Sequence, residues 1–168
     1  MFKKKTPVPP YILEVLTTEY LIDGTVDGDT RLYFPKAEMV SPPIELNTVK
    51  IQTTRPVDIP AQYCEQFVLV GDNLVALIPR IEIDQLKQYL DWLMSDKPLM
   101  GTFYVAHYKI SGKLMFLRKG FFEDQMHMLD VHISSLAQGT HWGELDAPFI
   151  LLNTQWLHGY APGEDSVT

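Results

Sequence analysis

The chain has 168 residues, 46% of them apolar and 21% charged, the balance of a soluble globular protein and not of a disordered one. Its formal charge is −7, with nine basic and 14 acidic side chains in residues 1–96 and five and seven in residues 97–168, which disfavours a general phosphate-backbone binder that draws its affinity from Lys and Arg. A single cysteine, Cys64, excludes an intrachain disulfide and a thiolate zinc cage, and no apolar run approaches the about 20 residues that span a bilayer.

Residues 1–10, MFKKKTPVPP, lack periodicity and read as a flexible arm. Met1 to Lys5 is basic, but the stretch that follows is proline-rich and not apolar, so no signal peptide is expected. A protein of the cytoplasm, without membrane contact, is the expectation. Residues 11–27 are rich in β-branched and aromatic residues and carry no helix period, which predicts strand. Gly24 within that pattern predicts a bulge or sharp bend, and Asp27-Gly28-Asp29 a turn. Leu32 to Phe34 starts a short strand that Pro35 interrupts, and Ser41-Pro42-Pro43 is a loop. IELNTVKIQT, residues 44–53, is a strand whose alternation slips between Leu46 and Val49, the mark of a bulge near Asn47 and Thr48. Residues 54–66 hold two prolines and read as a loop. Strands are predicted over 67–70 and 74–78, with a turn at Gly71-Asp72-Asn73.

At 83–95 the period changes. Ile83, Leu86, Leu90, Leu93 and Met94 recur at three and four residues, with Asp84 as the cap, which predicts an amphipathic helix. Beyond Met100 the β alternation returns through residue 117, then Arg118-Lys119-Gly120 is a turn. MHMLDVHIS, residues 126–134, is a strand, residues 135–148 a loop, and FILL with its partner strand closes the chain before a polar tail at 163–168.

The chain repeats itself. Tyr20-Leu21-Ile22-Asp23-Gly24 matches Tyr108-Lys109-Ile110-Ser111-Gly112, 88 positions later. Ile44, Leu46, Val49 and Ile51 match Met126, Met128, Val131 and Ile133 at a spacing of 82, and Phe67 to Val70 match Phe149 to Leu152 at the same spacing. The fold class predicted is mainly β, with a repeat over 11–80, a linking helix over 81–97 and a second repeat over 98–162.

VLVGDNLVALIP, with Gly71, Asp72, Asn73 and Leu74, resembles the second signature of the Sm-like fold, and Tyr20 to Val26 with Gly24 resembles the start of the first. The resemblance implies two tandem five-stranded Sm-like barrels, a form of the SH3-like barrel, and assembly of such barrels edge to edge through their fourth and fifth strands, hence an oligomer. Sm-like RNA binders hold a base with an Asn of the first signature and an Arg of the second. Val70 and Leu152 stand at the Arg position, and no Asp-x-x-x-Asn stretch follows Gly24 or Gly112 at the family spacing, so the fold carries over without the RNA pocket.

No catalytic constellation stands out, and neither an enzyme nor a cofactor or metal is expected. His127 and His132, five apart in one strand, are expected to face opposite sides. His141 and His158 are the pair that a fold could bring together with Glu144 or Asp146, without any dense ligand spacing. Cys64 reads as buried packing. Trp156 and Tyr160, four apart in the last strand, share a face that is either core or, with Phe121 and Phe122, a partner surface. Lys109, Lys113, Arg118 and Lys119 form the one candidate basic patch. The function expected is an interaction or assembly module that meets a protein partner or its own copies through barrel edges. RNA binding through the basic patch is the other reading, disfavoured by the acidic balance.

Overall fold

Runs of β-branched and aromatic residues cut short by Gly, Pro and Asp favour short strands. The computed structural model describes residues 7–34, 43–70, 73–82, 99–115, 125–137 and 142–162. In chain order these form β1 (Tyr11–Thr17), β2 (Tyr20–Val26), β3 (Ile44–Thr53), β4 (Gln62–Leu69), β5 (Leu74–Arg80), β6 (Leu99–Val105), β7 (Tyr108–Met115), β8 (Gln125–Ser135), β9 (Glu144–Asn153) and β10 (Leu157–Pro162), with one turn of 3-10 helix (Thr154–Trp156) before β10. The expected mainly β class holds. No α-helix occurs among the described residues, and the helix expected over 83–95 lies outside them, as do residues 1–6 and 163–168.

The ten strands do not split into two sheets. They form one sheet in the order β10-β6-β7-β8-β9-β5-β1-β2-β3-β4, with every pairing antiparallel. That order contains one arrangement twice: β5-β1-β2-β3-β4 and β10-β6-β7-β8-β9. The two runs meet where β5 pairs with β9 through Ala76–Leu152 and Leu77–Leu151.

Register matches as well as order. Tyr20 opposes Thr53 as Tyr108 opposes Ser135, and Leu13 opposes Pro79 as Gly101 opposes Pro162. Turn hydrogen bonds also recur: Thr18 N donates to Asn73 O as Ala106 N donates to Trp156 O, and Thr54 N to Glu19 O as Leu136 N to His107 O. Register corrects one sequence match. Phe67 opposes Leu46 while Ile150, not Phe149, opposes Met128, so the counterpart of Phe67 is Ile150 and that of Phe149 is Gln66. The second half has gained one residue between its third and fourth strands. By the same shift Val70 corresponds to Asn153, not to Leu152.

The bend expected at Gly24 is present, and so is its repeat. Register slips between Asp23 and Thr25 and between Ser111 and Lys113. Opposite each glycine the third strand of its half bulges through a left-handed residue, Thr48 at φ 53° and Asp130 at φ 50°. A Cβ at Gly24 would lie 3.0 Å from Leu46 Cβ and Val49 Cγ2, and at Gly112 2.9 Å from Leu129 O, so the close approach of strand to bulge requires glycine at both places.

Other expectations shift at element borders. β4 starts at Gln62 and β9 at Glu144, inside stretches read as loops. Tyr33 and Phe34 form no strand but are buried. The alternation read through 103–112 is a hairpin, turning at Ala106-His107 with Ala106 at φ 51°. Two cores result. One gathers residues such as Leu13, Val15, Ile44 and Leu77 of the first half with Phe149 and Leu151 of the second. The other gathers Phe103, Ile110, Met128 and Ile150 with Leu16, Leu21, Val75, Ala76 and Ile78.

Candidate functional site

The junction of the halves is built from two apolar runs. In β5, Leu74 to Pro79 are all buried, and so are Phe149 to Asn153 in β9. A strand buried on both faces needs such an unbroken run, whereas a strand with one wet face alternates. Here Leu77 and Leu151 enter the core of the first half, while their neighbours Ala76 and Leu152 enter that of the second. The seam is thus dry on both sides, and each half completes its core with side chains from the other.

Polar groups clip the seam. Asn153 Nδ2 donates to Leu74 O at 2.8 Å, and Asn153 Oδ1 accepts from Gln155 N. Arg80 Nη1 donates to Asp146 O at 2.9 Å while its Nε donates to Glu14 Oε2 at 2.9 Å. The fully buried Tyr108 crosses from the second half into the first. Its hydroxyl donates to Thr17 O at 2.7 Å and accepts from Thr54 Oγ1 at 2.6 Å. Burial pushes the Tyr108 phenol well above its ordinary range, against the opposing pull of the Thr54 hydrogen bond and the Arg55 charge. It therefore stays protonated and keeps donating.

The outer edges of the sheet are β4 and β10, the counterparts of β9 and β5. They are bare. Residues 62–66 and Val68 of β4 are exposed, as are residues 158–162 of β10. Several exposed large apolar side chains are counterparts of buried seam residues. Val68, 43% exposed, corresponds to Leu151, and Tyr160, 39% exposed, to Leu77. Tyr20, 39% exposed, corresponds to Tyr108, and Leu136, 53% exposed, to Thr54. Unpaired strands with apolar side chains are templates for pairing with another chain.

The titratable groups do not converge on a reaction centre. His107 is held below the usual imidazole range, first by burial and then by Arg55. His127 is pushed down by burial alone; it stacks on Phe149, and its Nδ1 has no hydrogen-bond partner among the described residues. His132 is pushed up, first by its 2.6 Å hydrogen bond to Asp146, with Glu144 3.3 Å away. The expected opposition of His127 and His132 is overturned. The left-handed Asp130 breaks alternation, so Met126, Met128, Val131 and Ile133 all enter one core and the two histidines share the other side of β8. Among the described residues no group of three His, Cys, Asp or Glu is placed to hold a metal.

Other candidates fall apart or move. Trp156 lies in the 3-10 turn and not in the last strand; it is half-buried against the core of the second half. Tyr160 stands on β10, its ring stacked on Phe103 with centroids 5.3 Å apart. The expected common strand face of Trp156 and Tyr160 is therefore absent. Cys64, expected in the core, is exposed on β4, which has no strand on its outer side among the described residues. Lys113 pairs with Asp130 at 3.0 Å and Lys109 is half-buried on β7. Arg118, Lys119, Phe121, Phe122 and His141 lie outside the described residues.

The seam was missed in the sequence although a signal for it exists. LVALIP and LHGYAP occupy equivalent strands, and only the first is apolar throughout. QYCEQFVL and ELDAPFILLN carry no such contrast at their C-terminal ends, where both are apolar. No protein-family model, no curated protein and no solved structure matches the chain. Among the described residues no helix is long and apolar enough to cross a membrane.

Proposed function

We propose that the chain is a non-enzymatic assembly module, a tandem of two Sm-like barrels whose open strands pair head to tail with further copies. The observation that carries this reading is the seam itself. Its β5–β9 pairing joins a fifth strand to a fourth, and one strand of each kind, β10 and β4, is left without an outer partner among the described residues. Carried to those edges, the seam register sets Gly159 opposite Leu69 and Tyr160 opposite Val68 of the next copy. Tyr20 of that copy then takes the place of Tyr108, beside Leu136 and Val105 O. The exposed apolar residues of the edges become buried in this arrangement. Because the paired edges differ, the contact is heterologous and generates a ring where its rotation closes and a filament where it does not.

Light scattering across a concentration series tests the reading. Species heavier than the 19.3 kDa chain are expected. Val68→Lys blocks one edge and Tyr160→Lys the other, each placing a desolvated charge in the pairing face. Each variant alone is expected as a monomer. A mixture of the two retains one free β10 and one free β4 and is expected to stop at a heterodimer. A monomeric wild type at all concentrations, or oligomers indifferent to both substitutions, overturns the proposal.

A further inference from the structure

A cavity of about 280 Å³ opens beside the seam, lined from both halves of the chain. Its buried lining includes Pro79 of β5 and Phe149 and Leu151 of β9. Its exposed lining includes Asp29 and Arg31, on either side of Thr30 in the segment that follows β2. No ion pair joins these two charges, and neither has an ion pair with any other described residue. The arrangement is therefore an apolar pocket with one acid and one base at its wet side, each able to take a ligand group. Pockets of this kind bury an apolar body and fix its orientation with a few polar groups. A carboxylate alone would meet Asp29 as well as Arg31, and an ammonium alone would meet the reverse conflict. A head group bearing both charges pairs with both side chains and meets neither conflict.

We propose that this cavity binds a free hydrophobic α-amino acid. The carboxylate pairs with Arg31, whose planar guanidinium suits it. The ammonium group pairs with Asp29, and the side chain enters between Pro79, Phe149 and Leu151. None of the lining belongs to β4 or β10, so the site stands or falls independently of edge pairing.

L-Phenylalanine is the ligand to try, followed by thermal unfolding and by the methyl resonances of Leu151. 3-Phenylpropionate and phenethylamine, which each lack one of the two charged groups, serve as comparisons. L-Phenylalanine is expected to raise the unfolding temperature and shift the Leu151 methyls, and each comparison compound to bind more weakly by about tenfold, the scale of one charge-assisted hydrogen bond. Arg31→Gln and Asp29→Asn are surface changes that leave the fold intact, and each is expected to weaken L-phenylalanine binding by about tenfold. An undisturbed Leu151 methyl signal at high ligand concentration overturns the proposal. So does equal binding of all three compounds, or unchanged affinity in both variants.

Discussion

β9 and β4 are the same strand of the repeat, yet Phe149 to Leu152 are buried while Val68 and Cys64 lie bare. β5 and β10 differ in the same way. The contrast separates what a strand needs to form from what it needs to be covered. Ladder pairing with an inner neighbour follows one register pattern in both copies, β3–β4 and β8–β9. What differs is the outer neighbour, and burial follows it.

The contrast is broken most directly at Leu151 and its counterpart Val68. Leu151→Ala removes a side chain only 1% exposed, and a loss of about 2–5 kcal/mol in unfolding free energy is expected by denaturant titration. Val68→Ala, measured on the monomeric chain, is expected to stay within about 0.5 kcal/mol of wild type. Equal losses would mean that burial does not distinguish the two strands. A second, smaller comparison sets Tyr108 against Tyr20. Tyr108→Phe takes from the buried Thr17 carbonyl its phenol donor and from the Thr54 hydroxyl its shortest hydrogen bond, and is expected to cost about 1–3 kcal/mol. Tyr20→Phe on the open side is expected to change the monomer's stability by less than about 0.5 kcal/mol.

The smallest effect concerns pH. The imidazole of His127, beside the seam residue Phe149, has its folded pKa lowered below the usual imidazole range by burial. Its neutral form contributes stability that is complete above the unfolded pKa and is lost as pH falls through that value toward the folded one. His132, exposed and paired with Asp146, has a raised folded pKa and works the other way: its contribution is complete below the unfolded pKa and is lost as pH rises through the folded one. Thermal unfolding followed from pH 7 down to about pH 5 is expected to show a flatter acid-side decline in His127→Phe and a steeper one in His132→Asn. An unchanged profile in both variants would remove histidine as the source of the pH dependence.

Much of the fold was legible where the backbone leaves a local mark. The slip of alternation between Leu46 and Val49 located the bulge at Thr48, and Gly24 located the bend against it. Thr30 N donating to Asp27 O closes the turn read from Asp27-Gly28-Asp29. The β6–β7 turn escaped because Ala106-His107 offers no Gly, Asn or Pro, and the left-handed conformation there falls to an alanine. The starts of β4 and β9 escaped because polar residues and prolines stand where a strand with a bare or half-covered flank tolerates them. Covering was the least legible property. FVLV and FILL look alike, and what buries one and not the other is a strand far away in sequence.

The brevity of the β5–β9 ladder has a kinetic consequence. Only Ala76–Leu152 and Leu77–Leu151 are paired there, whereas the hairpins close over short loops with long ladders. Joining strands so distant in sequence carries the larger loop-closure entropy before any contact compensates it. The expected order is hairpins first, halves next and docking of the halves last. Substitutions at Leu77 or Leu151 should then accelerate unfolding and leave the refolding rate nearly unchanged in stopped-flow experiments, so that the docking step governs how long a folded chain persists.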